Sequence, residues 1–328
     1  MISASGIEED MQIAIIGPGG IGSTFAFRLS RAGHDVTVIA RGRRLEQLRG
    51  DGAIVTADGQ RAGIRVAAVL DESMPYDLVL VTVLASQVDT LLPTLARSGA
   101  ASVMFMFNTF QSLDRLRDGV GAHRFAFGFP AIVASVADGT LSFSILRRRM
   151  STTVTDPFWA EIFSNAGIPA TVHPDIQSWL RSHAAVIVPL VIAGSTADLR
   201  GSGLSKRESL RMAGAMNEGI RLVRHLGNAV TPAPMTVLSR VPRRLLAAMF
   251  WMLTRLDVFV RTVAVAPAEE PRTLIDEMSS AWPGHTPRRC WPSDPERCEV
   301  VLDTLWCHRF GEGDMASLTV PAKHHLDR

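Results

Sequence analysis

Residues 11–23 read MQIAIIGPGGIGS, and this stretch decides the fold. Gln12 to Ile16 reads as a buried parallel strand, because Ile13 to Ile16 is an unbroken apolar run. Gly17, Gly19 and Gly22 then fit G-x-G-x-x-G, with Gly20 as a fourth glycine. Gly17 permits a tight turn, Gly19 lets a ligand approach the backbone, and Gly22 lets helix and strand pack closely. The helix expected over Ile21 to Arg31 presents the backbone N–H groups of Gly20 and Ile21 at its positive end, where a pyrophosphate binds. A second strand, Asp35 to Ala40, ends at Arg41. A glycine turn alone is a weak signal. Here it sits between a strand and a helix inside a βαβ unit, the context that turns it into a dinucleotide site.

Arg41 lies 24 positions after Gly17, where an enzyme using NAD usually carries an acid on the ribose hydroxyls. An arginine there suits a 2′-phosphate, so the expected cofactor is NADPH. Arg43 and Arg44 add to the local positive field. The competing reading of the three arginines is a solvated basic loop.

Outward from this unit, strand–helix alternation continues to Val172, with Asp77 to Val83 and Ser102 to Phe107 as further buried strands. Gln87 to Leu95 reads as a helix, and Ala53 to Val69 as a hairpin turning at Asp58-Gly59. Extended runs fill Arg124 to Phe143. From Ile176 to about Val265 the pattern is helical: Ile176 to Ala193, bent at Pro189, then Ser205 to Leu226 with Ser205 as N-cap, then Arg243 to Val263. The fold class is therefore α/β, an N-terminal Rossmann-type doubly wound parallel sheet followed by an all-helical C-terminal domain. The expected divisions are a tail over residues 1–10, the NADP-binding domain over 11–174, a helical substrate or dimerisation domain over 175–280, and an atypical segment over 281–328.

The 328 residues are 47% hydrophobic and 20% charged, enough for two domains with real cores. A net charge of +2 gives no reason to expect nucleic acid or an anionic membrane as partner. The polar start MISASGIEED lacks a secretory h-region, and the apolar run Ala184 to Gly194 is short for a bilayer, so cytoplasm is the expected compartment. Cys290, Cys298 and Cys307 are too few and too spread for a zinc site, and no metal is expected. All three cysteines and three of the six tryptophans fall after residue 280. Two readings of that segment stand: an irregular tail, or sequence foreign to the fold, such as a shifted reading frame.

These motifs resemble the ketopantoate reductase (2-dehydropantoate 2-reductase) family over about residues 11 to 265. The family's V-T-x-K-A-x-Q segment is similar to Val81-Thr82-Val83-Leu84-Ala85-Ser86-Gln87, its H-N-G turn to Phe107-Asn108-Thr109, and its W-R-K segment to Trp179-Leu180-Arg181. The resemblance implies NADPH binding by Gly17, Gly19, Gly20, Ile21, Gly22, Arg41, Gln87 and Asn108, with Asn108 and Arg181 as catalytic residues. Leu84 stands where the family has its first lysine, and Arg181 where it has the catalytic one. Ala185 and Pro189 replace two asparagines, and Leu274 in Thr273-Leu274-Ile275-Asp276 replaces a glutamate. The cofactor half is kept and the substrate half rebuilt.

Reduction of a 2-oxo acid needs a hydride donor, a cation for the carboxylate and a proton source. Arg181 suits the carboxylate and is a poor acid. His183 points to an apolar face and reads as a buried, hydrogen-bonded histidine. The expected activity is NADPH-dependent reduction of a small-molecule carbonyl substrate, a 2-oxo acid or a relative, with a homodimer as an allowed assembly. The alternatives are a non-catalytic NADP-binding sensor or interaction protein, and a Rossmann-type user of FAD or S-adenosylmethionine.

Overall fold

The computed structural model describes residues 10–146, 150–263 and 269–282. In chain order, the first domain runs β1 (Gln12–Ile16), α1 (Gly20–Arg31), β2 (Asp35–Ile39), α2 (Gly42–Asp51), β3 (Ala53–Thr56), β4 (Arg61–Gly63), β5 (Arg65–Ala67) and β6 (Leu78–Val81). It continues with α3 (Leu92–Arg97), β7 (Ser102–Met106), α4 (Asp114–Val120), β8 (Phe125–Phe129), β9 (Ile132–Ala137), β10 (Thr140–Ile145), β11 (Thr152–Val154), α5 (Pro157–Asn165) and β12 (Ala170–Val172).

The main sheet has the order β12-β11-β8-β7-β6-β1-β2-β5. Its pairings are parallel except β11 with β8. Alternate residues of β1 enter opposite cores, as a period-2 strand demands. Ile13 and Ile15 join Phe25 of α1 and Trp159 and Phe163 of α5, while Ala14 and Ile16 join Leu95, Leu116 and Phe105. Both faces are covered, the requirement for a parallel sheet.

A second sheet, β4-β3-β10-β9, was not expected. The hairpin through Asp58-Gly59 forms, but only β3 and β4 belong to it, and β5 leaves to extend the main sheet beside β2. The β9–β10 hairpin turns at Asp138-Gly139, with positive φ at both residues, and lies against α1.

The helical part comprises α6 (Ile176–Arg200), α7 (Lys206–His225), α8 (Ala233–Leu238), α9 (Arg243–Leu253), α10 (Asp257–Val263) and α11 (Glu269–Ser280). Asp175 caps α6, and Ser205 with Glu208 forms a capping box on α7. Three helices differ from expectation. The helix expected from Gln87 starts only at Leu92, after a 3-10 turn over Ala85–Gln87, because Pro93 lacks an N–H and fits only a first turn. The helix expected to end at Ala193 runs through Pro189 to Arg200 and stops at Gly201, φ +64°. The run from Arg243 breaks at Thr254, whose hydroxyl donates to Phe250 O and accepts from Leu204 N. By length and composition α6 would cross a bilayer, yet 67% of its apolar window is buried inside the protein. The expectations for residues 1–9, for 283–328 and for all three cysteines lie outside the described residues.

Candidate functional site

The glycine turn is built as its sequence requires. Gly17 takes φ +94°, and a Cβ there would stand 2.7 Å from Val83 Cγ1. A Cβ on Gly22 would meet Gly17 O at 2.3 Å and Thr82 Oγ1 at 2.5 Å, and one on Gly20 would meet Ala134 O at 2.5 Å. A Cβ on Gly19 would meet nothing within 4 Å. So three glycines are filled around by protein, and Gly19 faces open space. No side chain caps α1 and no acid stands in its first turn, so its N–H groups and dipole favour an anion there. Thr82 Oγ1 donates to Gly17 O at 2.8 Å and Ile16 O at 3.1 Å, tying the end of β6 to the turn. These features fit a dinucleotide pyrophosphate.

Arg41 ends β2 as the N-cap of α2 and is exposed, as is Arg43. Arg44 does not contribute to an open field as expected. Its Nε donates to Pro18 O at 3.2 Å, Nη2 to Ser23 Oγ at 2.9 Å and Nη1 to Gly139 O at 3.0 Å. It braces the glycine turn against the β9–β10 hairpin, and burial lowers its pKa. Gln87 is exposed in the 3-10 turn after β6, and Ile21 is half-buried in α1.

The second centre is the turn after β7, residues 108–113. Asn108 Nδ2 donates to Glu270 Oε1 at 2.6 Å, while its buried Oδ1 has no partner among the described residues. Glu277 accepts from Phe110 N at 2.6 Å and Thr109 Oγ1 at 3.0 Å. From the other side, Arg181 Nε donates to Phe110 O at 3.0 Å, its Nη1 to Asn228 Oδ1 at 2.5 Å, and its guanidinium lies over the Phe110 ring. Gln177 binds Leu113 N and Gln111 O. The turn is thus gripped by α6 and α11, helices 70 and 160 residues further along the chain. Burial lowers the pKa of Arg181, opposed by Asp114 and Asp175, and no carboxylate pairs with it among the described residues.

Glu270 and Glu277 were missed by sequence reasoning, which looked for an acid at position 274. Leu274 is buried in the helical core. The acids stand one turn to either side, seven residues apart on one face of α11. Their only sequence signal was that spacing, in a segment whose helix was not foreseen. Burial pushes both carboxyls above the ordinary glutamate range, opposed by the hydrogen bonds each accepts. Beside the turn a cavity of about 480 Å³ opens between α4 and α11, walled by Ser86, Phe107, Thr109, Arg115, Thr273 and Glu277. His183 is buried as expected, 8% exposed, stacked on Trp179 and against Phe129. It is packed rather than hydrogen-bonded within the described residues, and burial lowers its pKa to about 4.

A parallel sheet with an uncapped glycine turn at its carboxyl edge, followed by a helical domain that reaches the same edge, defines a protein of Rossmann-type fold. Residues 13–145 match the family described as Ketopantoate reductase PanE/ApbA. The first domain is similar to that of the ketopantoate reductases. A 2-dehydropantoate 2-reductase of Vibrio cholerae is 28% identical over 193 residues, 54% of this chain and 60% of that protein. The chain thus matches less than two thirds of the length of such relatives. A PanE/ApbA family ketopantoate reductase structure from Ralstonia eutropha covers 90% of this chain and 99% of its own at TM-score 0.59 and 18% identity. A D-mandelate dehydrogenase structure, with NADH and anilino(oxo)acetate, covers 83% and 90% at TM-score 0.58 and 16% identity. At these identities the structures establish the shared fold.

Proposed function

We propose that the protein is an NADPH-dependent reductase of a small 2-oxo acid or related carbonyl compound. The observation that carries this reading is the 108–113 turn. It sits at the carboxyl edge of the sheet that holds the glycine turn, and it joins Asn108 to the unpaired cation Arg181 through Phe110. Gly17, Gly19, Gly20, Ile21 and Gly22 would hold the pyrophosphate, Arg41 the 2′-phosphate, and Gln87 and Asn108 the nicotinamide half. When bound, NADPH supplies the hydride. Arg181 has Nη2 left over to clamp a carboxylate, and its burial strengthens that contact. Asn108, with its spare Oδ1, orients the reacting groups. Cytoplasmic action and a homodimer belong to the same reading.

The test is an NADPH-oxidation screen over 2-oxo acids, ketopantoate included. Turnover of at least one supports the reductase. NADPH binding without turnover would favour the sensor, for which the absence of both family lysines speaks.

A further inference from the structure

The reduction needs an acid, and the chain is unusual in what it can offer. Only two lysines occur in 328 residues, Lys206 and Lys323. Lys206 is exposed at the start of α7 and Lys323 is outside the described residues. The single tyrosine, Tyr76, precedes β6 and so lies at the amino edge of the sheet, away from the glycine turn. His183 is enclosed by Trp179 and Phe129, and burial, which lowers its pKa to about 4, keeps it from holding the second ring proton that a general acid gives up. Arg181 does not release one. Asp114 at the end of the 108–113 turn is exposed and paired with Arg117, so among the described residues two buried carboxyls remain there. Glu277 is committed to the turn's backbone and Thr109. Among the described residues Glu270 has one hydrogen-bond partner, the amide of Asn108.

We propose that Glu270, presented beside Asn108 by α11, is the general acid that protonates the substrate oxygen. The role rests on the reductase reading above. Hydride arrives at the carbonyl carbon from reduced nicotinamide, and the C=O π pair moves onto oxygen. The Glu270 O–H bond breaks and its proton joins that oxygen. The products are the hydroxy acid, oxidised cofactor and a Glu270 carboxylate, which regains its proton from water. Burial raises the Glu270 pKa toward the acid form, and the Asn108 hydrogen bond is the opposing influence. The charged groups nearest the turn on the packed elements include Arg181 on α6, Asp114 and Arg115 on α4, and Arg272, Asp276 and Glu277 on α11, while the influences resolved on the Glu270 carboxyl are burial and Asn108.

The experiment combines kinetics with a direct titration. Glu270→Gln should lower kcat by about 10²-fold or more and leave NADPH affinity unchanged. Glu270→Asp should recover part of the rate. Wild-type kcat should fall as pH rises through the raised Glu270 pKa, and that limb should vanish in Glu270→Gln. Infrared difference titration of the cofactor-free protein should show a protonated-carboxyl signal above the ordinary glutamate range that Glu270→Gln removes. Wild-type kcat with an unchanged pH limb in Glu270→Gln overturns the proposal while the reductase reading stands, and so does a Glu270 that ionises in the ordinary range. A wild-type protein that binds NADPH but reduces no 2-oxo acid overturns the reductase reading itself, and the proposal with it.

Discussion

The glycine turn and the 108–113 turn sit on one sheet edge and are made in opposite ways. The first is assembled from backbone, inside a dozen residues, and steadied from outside by Thr82 and Arg44. The second is assembled from side chains that converge on it: Asn108 meets Glu270 across 162 positions and Arg181 meets Asn228 across 47. A site whose chemistry is backbone geometry tolerates little change, because each glycine is fixed by what surrounds it. A site whose chemistry is side chains on separate helices can be rebuilt helix by helix. That contrast explains how this chain keeps one half of the family pattern and alters the other.

The contrast breaks first at the glycines. Gly22→Ala should cost about 3 kcal/mol or more, since its methyl would overlap Gly17 O and nearby backbone has no room to yield. Gly19→Ala should fold with stability within about 0.5 kcal/mol of wild type, yet lose NADPH affinity tenfold or more, because the methyl occupies only ligand space. Chemical denaturation and cofactor titration of the two variants separate these roles, and equal behaviour would erase the distinction.

The side-chain half carries its own pH signature. His183 is a base whose pKa is depressed to about 4, so the unfolded chain takes up a proton between its usual 6.5 and that value while the native state does not. Stability should therefore be full above pH 6.5 and fall by roughly 3 kcal/mol as pH drops to about 4. His183→Phe keeps the ring stack and should flatten this part of the profile, measured by urea melts. Glu270 and Glu277 work in the other direction. Their raised pKa values add stability that is full at low pH and lost as pH rises through the native values.

Smaller effects sharpen the two halves. Arg181→Ala removes a charge-assisted contact of about 1.5–3 kcal/mol, so KM for the 2-oxo acid should rise about tenfold or more while NADPH affinity holds. Arg181→Lys should recover part of it. Silence in both would remove Arg181 from the site. Arg41→Asp should erase a preference for NADPH over NADH, about 1.4 kcal/mol for each tenfold. Equal affinity of the unmodified protein for both would refute the assignment.

The same division governed what could be read in advance. The β1–α1–β2 unit is legible because its signals are contiguous: an apolar run and a glycine pattern. The second sheet was hidden because its strands are separated by β5 through β8 and pair only in space. Arg44 looked like an open charge because nothing near it in sequence announces Pro18, Ser23 or Gly139 as partners. In α11, attention to position 274 concealed acids one turn away on the face that meets Asn108.

The grip of α6 and α11 on residues 108–113 also bears on the order of events in turnover. Asn108, which the proposed function puts beside the nicotinamide, is joined to α11, and Phe110 joins α6 to the same backbone. A cofactor that engages Asn108 settles the turn, and with it the placement of Arg181 and Glu270, before a small acid arrives. The expected kinetics are compulsory: NADPH on first, hydroxy acid off before NADP+. Product inhibition by the hydroxy acid should then be non-competitive against the 2-oxo acid, where rapid random addition makes it competitive.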